Sequence, residues 1–185
     1  MPGADPPSSA RRDELLERAY RYVLDHGLTQ LSLRPLAAAI GSSPRVLLFL
    51  FGSKDGLVRA LLARARADEL TLLGAPAPGL AAAVAAVWQW LAADEHRALL
   101  RLWVEAYARS LVEPEGPWGD FARATVDDWL ALLAQAQTPA TRGSAAAIAE
   151  RTLALAVLRG ALLDLLASGD RERAGAAVQR HLETI

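Results

Sequence analysis

An all-α protein of about nine helices is what this sequence predicts, and three observations predict it. Apolar and polar residues seldom alternate and β-branched residues are few, whereas Ala, Leu, Arg and Glu, all good helix formers, dominate. Apolar residues recur instead at i, i+3 and i+4, the spacing of one face of a helix. Clusters of Gly, Pro and Ser then cut the chain into segments of helical length.

Composition narrows the functional classes. With 185 residues, 52% of them apolar, the chain can bury a substantial core as one large domain or two small ones. It has no cysteine, which excludes disulfides, thiolate metal sites and cysteine nucleophiles. The opening MPGADPPSSARR has no apolar core of the kind a secretory signal needs. The longest apolar stretch, Thr152–Ala167, is interrupted by Arg159 and Asp164 and is shorter than the ~20 residues of a membrane span. A cytoplasmic protein with no membrane partner is expected. The net charge of −1 hides an asymmetry: residues 1–66 hold ten basic against six acidic residues, and residues 67–185 ten against fifteen. The basic surface therefore belongs to the first third of the chain.

Residues 1–8 contain three prolines and are expected to form a disordered arm. A first helix follows over 9–26, with Leu15, Leu16, Ala19, Tyr22 and Val23 on its apolar face and Gly27 as its stop. Short helices are predicted over 33–40 and 44–50, and a longer one over 54–73. The run Gly74-Ala75-Pro76-Ala77-Pro78-Gly79 is the clearest internal boundary. Beyond it the pattern gives helices over 80–92, 95–112, 118–137, 141–168 and 171–183. The layout is a small basic helical head, a linking helix and a larger acidic helical body.

Residues 32–51 have the pattern of a helix-turn-helix. Ser32 suits an N-cap, and Pro35 still lies in the first turn, where a missing N–H costs nothing. Leu33, Leu36, Ala37 and Ile40 supply an apolar face, with Ala37 small enough for a tight helix crossing. Gly41 can take the positive φ of the turn. Ser43 then caps a second helix whose first residue is Pro44, and Leu47 and Leu50 face the core. Small, turn and core positions thus fall where a helix-turn-helix needs them.

On these residues, the run Leu15–Leu62 resembles the N-terminal domain of TetR-type transcriptional regulators. The resemblance is carried by Ala19, Gly27, Ser32, Leu36, Ala37, Gly41 and Ser43, then by Phe51, Ser53, Lys54, Leu57 and Leu61. It covers about a quarter of the chain. It implies a three-helix head (9–53) that binds double-stranded operator DNA. Residues 54–185 would then be a linking helix plus an effector-binding and dimerisation domain. A homodimeric repressor released by a small apolar or aromatic ligand, with no cofactor, is the expectation. Where the family commonly has Tyr and His at the end of its recognition helix, this chain has Leu48 and Leu50, so one hydroxyl–phosphate contact is missing.

In the segment Pro44–Leu50, Arg45 is the single charged residue and the candidate reader of a guanine edge. Leu48 and Phe49 can meet thymine methyls or deoxyribose, although Phe49 equally suits the core. Ser32, Arg34, Ser43 and Pro44 complete the candidate DNA surface, with Arg11 and Arg12 beside it. Lys54, the only lysine in the chain, follows the N-cap candidate Ser53 and so would lie at a helix N-terminus. Alone it reads as a solvated lysine; the resemblance implies a phosphate contact.

All five tryptophans fall between residues 88 and 129. Trp88, Trp103, Tyr107, Trp118, Phe121 and Trp129 are candidates for an effector pocket, though core filling accounts for aromatics equally well. Arg101 and Glu105 are candidate polar anchors. The segment 141–168 is apolar nearly all round and must be covered on both sides. Leu155, Leu158, Leu162 and Leu165, with Val178 and Leu182 of the last helix, are the candidate dimer contacts. Two other classes stay open. One is a helical interaction module whose helix-turn-helix no longer binds DNA. The other is an enzyme, although His26, His96 and His181 are far apart in sequence and no phosphate loop or nucleophile motif is present.

Overall fold

The computed structural model describes residues 7–28, 31–74 and 76–185. Among them lie nine α-helices: α1 (Pro7–His26), α2 (Leu33–Ala39), α3 (Pro44–Phe51), α4 (Lys54–Leu73), α5 (Leu80–Leu91), α6 (Arg97–Val112), α7 (Phe121–Ala136), α8 (Ala145–Ser168) and α9 (Arg171–Leu182). A short 3₁₀ turn, Asp94–His96, precedes α6. No strand occurs among the described residues. Most of the expected arm, residues 1–6, lies outside them. The first helix begins two residues earlier than expected, because Pro7 is tolerated where no N–H has an intrahelical partner.

Helix starts differ from the pattern where side chains cap. α8 begins at Ala145 rather than 141, because Ser144 accepts the Ala147 N–H at 3.2 Å and residues 138–144 close in turns. α7 begins at Phe121 rather than 118, after the turns that follow Pro114. Ser43 behaves as its type predicts and accepts the Val46 N–H at 3.3 Å. Ser32 occupies an N-cap position with extended φ and ψ, but its hydroxyl makes no cap hydrogen bond.

The helices group into two compact units, Met1–Glu69 with Ala98–Ala122, and Leu70–Arg97 with Arg123–Ile185. In the first unit α1, α2 and α3 pack on one another around Leu15, Ala19, Val23, Leu36 and Leu47, all fully or almost fully buried. The chain between α2 and α3 turns on Gly41 at φ 67°, and the two helices bend by 102° across it. That is the angle of a helix-turn-helix. Gly56 serves a close approach: a Cβ there would lie 2.0 Å from the Phe51 carbonyl oxygen.

A polar network ties α1 to α4 in this unit. Arg64 bridges Glu17 at 3.1 Å and Asp68 at 3.2 Å, and its guanidinium lies over the Tyr20 ring. The Tyr20 hydroxyl, on a buried side chain, donates to Asp68 at 2.7 Å. Burial first, then the hydrogen bond to the Asp68 carboxylate, raises the phenol pKa well above its ordinary value. Tyr20→Phe removes a hydrogen bond to a charged acceptor and is expected to cost about 1.5–3 kcal/mol, read as a lower urea midpoint. An unchanged midpoint would mean that water replaces the phenol.

In the second unit α5, α8 and α9 pack together around Val84, Leu158 and Val178. Trp88 lies against Ala92, Leu165 and Ala174. Between α8 and α9, Arg173 bridges Asp164 at 2.7 Å and Asp170 at 3.3 Å. The buried Gln137 donates to the Ala147 carbonyl and accepts from Arg151, fixing the end of α7 to the start of α8. Among the described residues no single helix is long and apolar enough to cross a membrane.

Candidate functional site

α3 has two unlike sides. Leu47 and Phe51 are buried and Leu50 is half-buried, so these anchor the helix. Arg45, Val46, Leu48 and Phe49 are exposed, and Phe49 most of all at 82%. Of the two readings that Phe49 allowed, core packing is therefore not the one this fold adopts. An aromatic ring held in water on a rigid helix is a contact surface in waiting.

Cations surround this surface. Ser32, Arg34, Ser43 and Lys54 are all exposed, and Pro44 opens α3. Lys54 opens α4, where Ser53 caps by accepting the Gly56 N–H at 2.9 Å. Among the described residues Arg34, Arg45 and Lys54 form no ion pair. Elsewhere in the same unit Arg11, Arg18 and Arg64 are all paired with carboxylates. Arg12 sits over the Phe51 ring at 5.0 Å and near Asp13, so its charge is partly engaged.

The aromatic candidates divide. Trp118 and Phe121, both buried, line a cavity of about 330 Å³ with Arg59, Leu62, Ala63 and Arg66 of α4 and with Pro114, Gly116, Pro117, Gly119 and Asp120. Trp103 stacks on Tyr107 at 4.8 Å, and its indole N–H is buried with no hydrogen-bond partner among the described residues. Trp88 and the buried Trp129 belong to the second unit. Arg101 is exposed. Glu105 is a structural residue and accepts the Leu28 N–H at 3.0 Å, beyond the end of α1. Arg59 and Arg66, which the sequence pattern did not single out, are the cations beside the aromatic walls. Their spacing on one helix face was visible, but not what lies opposite.

The candidate dimer residues are placed differently from expectation. Leu155, Leu158, Leu162, Leu165 and Val178 are buried in the chain's own core, and Leu182 is half-buried. The other side of α8 is also apolar. Ala149, Leu153, Ala156, Gly160, Leu163 and Ala167 are all exposed and follow one another at steps of four, three, four, three and four. Such steps keep a single straight seam along a helix. Both sides of α8 being apolar, hydrophobicity could not tell which met the core: Leu155 and Leu158 went inward, Leu153 and Leu163 outward.

The histidines are occupied by packing. His26 stacks on Tyr22 and His96 on Trp90, while His181 is buried in α9. Among the described residues no group of three His, Asp or Glu side chains is placed to hold a metal ion.

No family model matches the sequence, and no curated protein matches it either. Solved structures match the fold over nearly the whole chain. A protein from Rhodococcus sp. assigned to the TetR family of transcriptional regulators is 22% identical, with a TM-score of 0.72 over 95% of this chain and 98% of that one. A TetR transcription regulator from Haloarcula marismortui ATCC 43049 is 18% identical, with a TM-score of 0.70 over 95% of this chain and 96% of that one. The multidrug binding protein EbrR, solved in complex with proflavin, is 24% identical, with a TM-score of 0.65 over 95% and 99%. The chain has the all-helical fold of TetR-type transcriptional regulators.

Proposed function

We propose that this protein is a DNA-binding transcriptional regulator that acts as a homodimer and is released from its operator by a small molecule. The observation that carries the reading is the α3 surface: exposed Arg45, Leu48 and Phe49, with Arg34 on α2 and Lys54 at the start of α4 forming no ion pair among the described residues. A helix of this kind enters the major groove, with cations on flanking phosphates and side chains on base edges. Arg45 reads a guanine, Leu48 and Phe49 meet thymine methyls, and Ser32, Arg34, Ser43 and Lys54 hold the backbone. The exposed seam of α8 supports a two-fold pairing of chains, since small residues let two helices approach closely and leucines fill the gaps. The cavity beside Trp118 and Phe121 is a place for an effector. The multidrug binding protein EbrR, of similar fold, was solved in complex with proflavin.

Selection of bound sequences from random duplexes tests the DNA reading. Arg45→Ala is expected to cost roughly 1–3 kcal/mol and to relax one base pair per half-site. Lys54→Ala should weaken all sequences alike and lower the salt slope by about one per subunit. Unchanged base preference in the Arg45 variant would remove that residue as the reader. The apolar tip of α3 also fits a protein groove. A selection that enriches no sequence at all would move the proposal to such an interaction module.

A further inference from the structure

We propose that the cavity between α4 and the α6–α7 connection takes an anionic aromatic ligand, of the chemistry of an aryl carboxylate. The inference rests on the effector reading and names the ligand class that reading leaves open.

One wall is a single stripe of α4. Arg59, Leu62, Ala63 and Arg66 stand at i, i+3, i+4 and i+7, so Leu62 and Ala63 form an apolar centre with a guanidinium at either end. The two arginine positions are about 10 Å apart along the helix axis. The facing wall is the 114–121 connection, with the buried Trp118 and Phe121 behind it. That wall is rigid. Gly119 approaches the chain so closely that a Cβ would lie 2.2 Å from the Pro114 carbonyl oxygen. Ser110 holds the same loop by donating to the Gly119 carbonyl and accepting the Ala122 N–H. The space of about 330 Å³ is at the lower end for small-molecule sites, roughly 300–1,000 Å³, and suits one or two fused rings.

Charge decides between ligand classes. Two guanidinium groups and one carboxylate, Asp120, line the cavity. Arg59 forms no ion pair among the described residues. Arg109 lies over the Trp118 ring at 5.3 Å, and its charge is met by Glu113 at 3.0 Å. With two guanidinium groups against one carboxylate, the lining carries a net positive charge, which disfavours an aromatic cation. A planar carboxylate instead finds at Arg59 a guanidinium fork that matches its geometry, and its ring meets the apolar walls. Such a ligand would sit within the same compact unit as α3, against the helix that begins at Lys54.

Isothermal titration calorimetry of the full chain with 2-naphthoate, 2-naphthamide and 2-naphthylmethylamine tests this without reference to DNA. The acid is expected to bind about tenfold tighter than the amide, and the amine least. Arg59→Gln, at an exposed position, and Arg66→Gln should each bring the acid close to the amide, while Asp120→Asn should tighten the acid. Equal affinity for acid and amide, or an unchanged acid affinity in Arg59→Gln, overturns the anion assignment and leaves an effector cavity standing. Failure of all three probes to bind overturns the cavity as a ligand site. Operator binding by the unliganded protein, measured separately, then tells whether the DNA reading survives.

Discussion

Leu163→Arg is expected to give a folded monomer that has lost at least about a hundredfold in affinity for a two-half-site operator. Leu163 is 49% exposed in the single chain, so the fold does not depend on burying it. It lies on the seam with Leu153, Ala156 and Gly160, and a two-fold axis there would bring the substituted position close to its own copy. Arginine then places two like charges in a dry contact, which costs far more than the leucine contributed. Two linked heads bind an operator with an effective concentration that adds about 10²–10⁴ in affinity, and a monomer forfeits it. Sedimentation velocity reads the assembly state, far-UV circular dichroism the fold, and gel shifts on whole and half operators the affinity. A variant that still sediments as a dimer at micromolar concentration would place the interface elsewhere.

Leu158→Glu, five residues earlier on the opposite side of the same helix, is expected to fail for another reason. Leu158 is 0% exposed within one chain. A carboxylate there has no partner and must be desolvated or protonated, at a cost above about 4 kcal/mol. Typical domains have only about 5–15 kcal/mol of stability, so the variant should melt far lower or accumulate as aggregate. Circular dichroism melts of the two variants separate the cases. A Leu158→Glu protein with native helicity and melting temperature would show that Leu158 faces a partner and not its own core.

The contrast shows what was legible in the sequence. Local stereochemistry was: Gly41 at positive φ, Ser43 and Pro44 opening α3, and small Ala37 at the crossing all follow from backbone and cap rules acting within a few residues. That α8 is apolar on both sides was legible too, but not which side meets the chain's own core, since Leu155 and Leu163 are chemically the same. Non-local pairings were not legible. Glu105 reaches a backbone N–H 77 positions away at Leu28, and Tyr20 finds Asp68 across 48. Arg59 and Arg66 gain meaning only because Trp118 and Phe121 come to lie across from them. A periodic pattern records which face of a helix is apolar, and nothing in it records the neighbour.

The compact unit that holds α3 is not continuous in the chain, and this bears on how the protein is made. Its first stretch ends at Glu69 and its second ends at Ala122, 53 residues further on. A ribosome adding about 5–20 residues per second needs roughly 3–10 s to cross that interval. For most of it the nascent helix-turn-helix has its own core residues but lacks a complete α6. The Leu28 N–H waits for Glu105, and the side of the unit that the later stretch will complete stays in water. Truncated products ending between α4 and α7 therefore carry every proposed DNA-contacting residue on an unfinished scaffold.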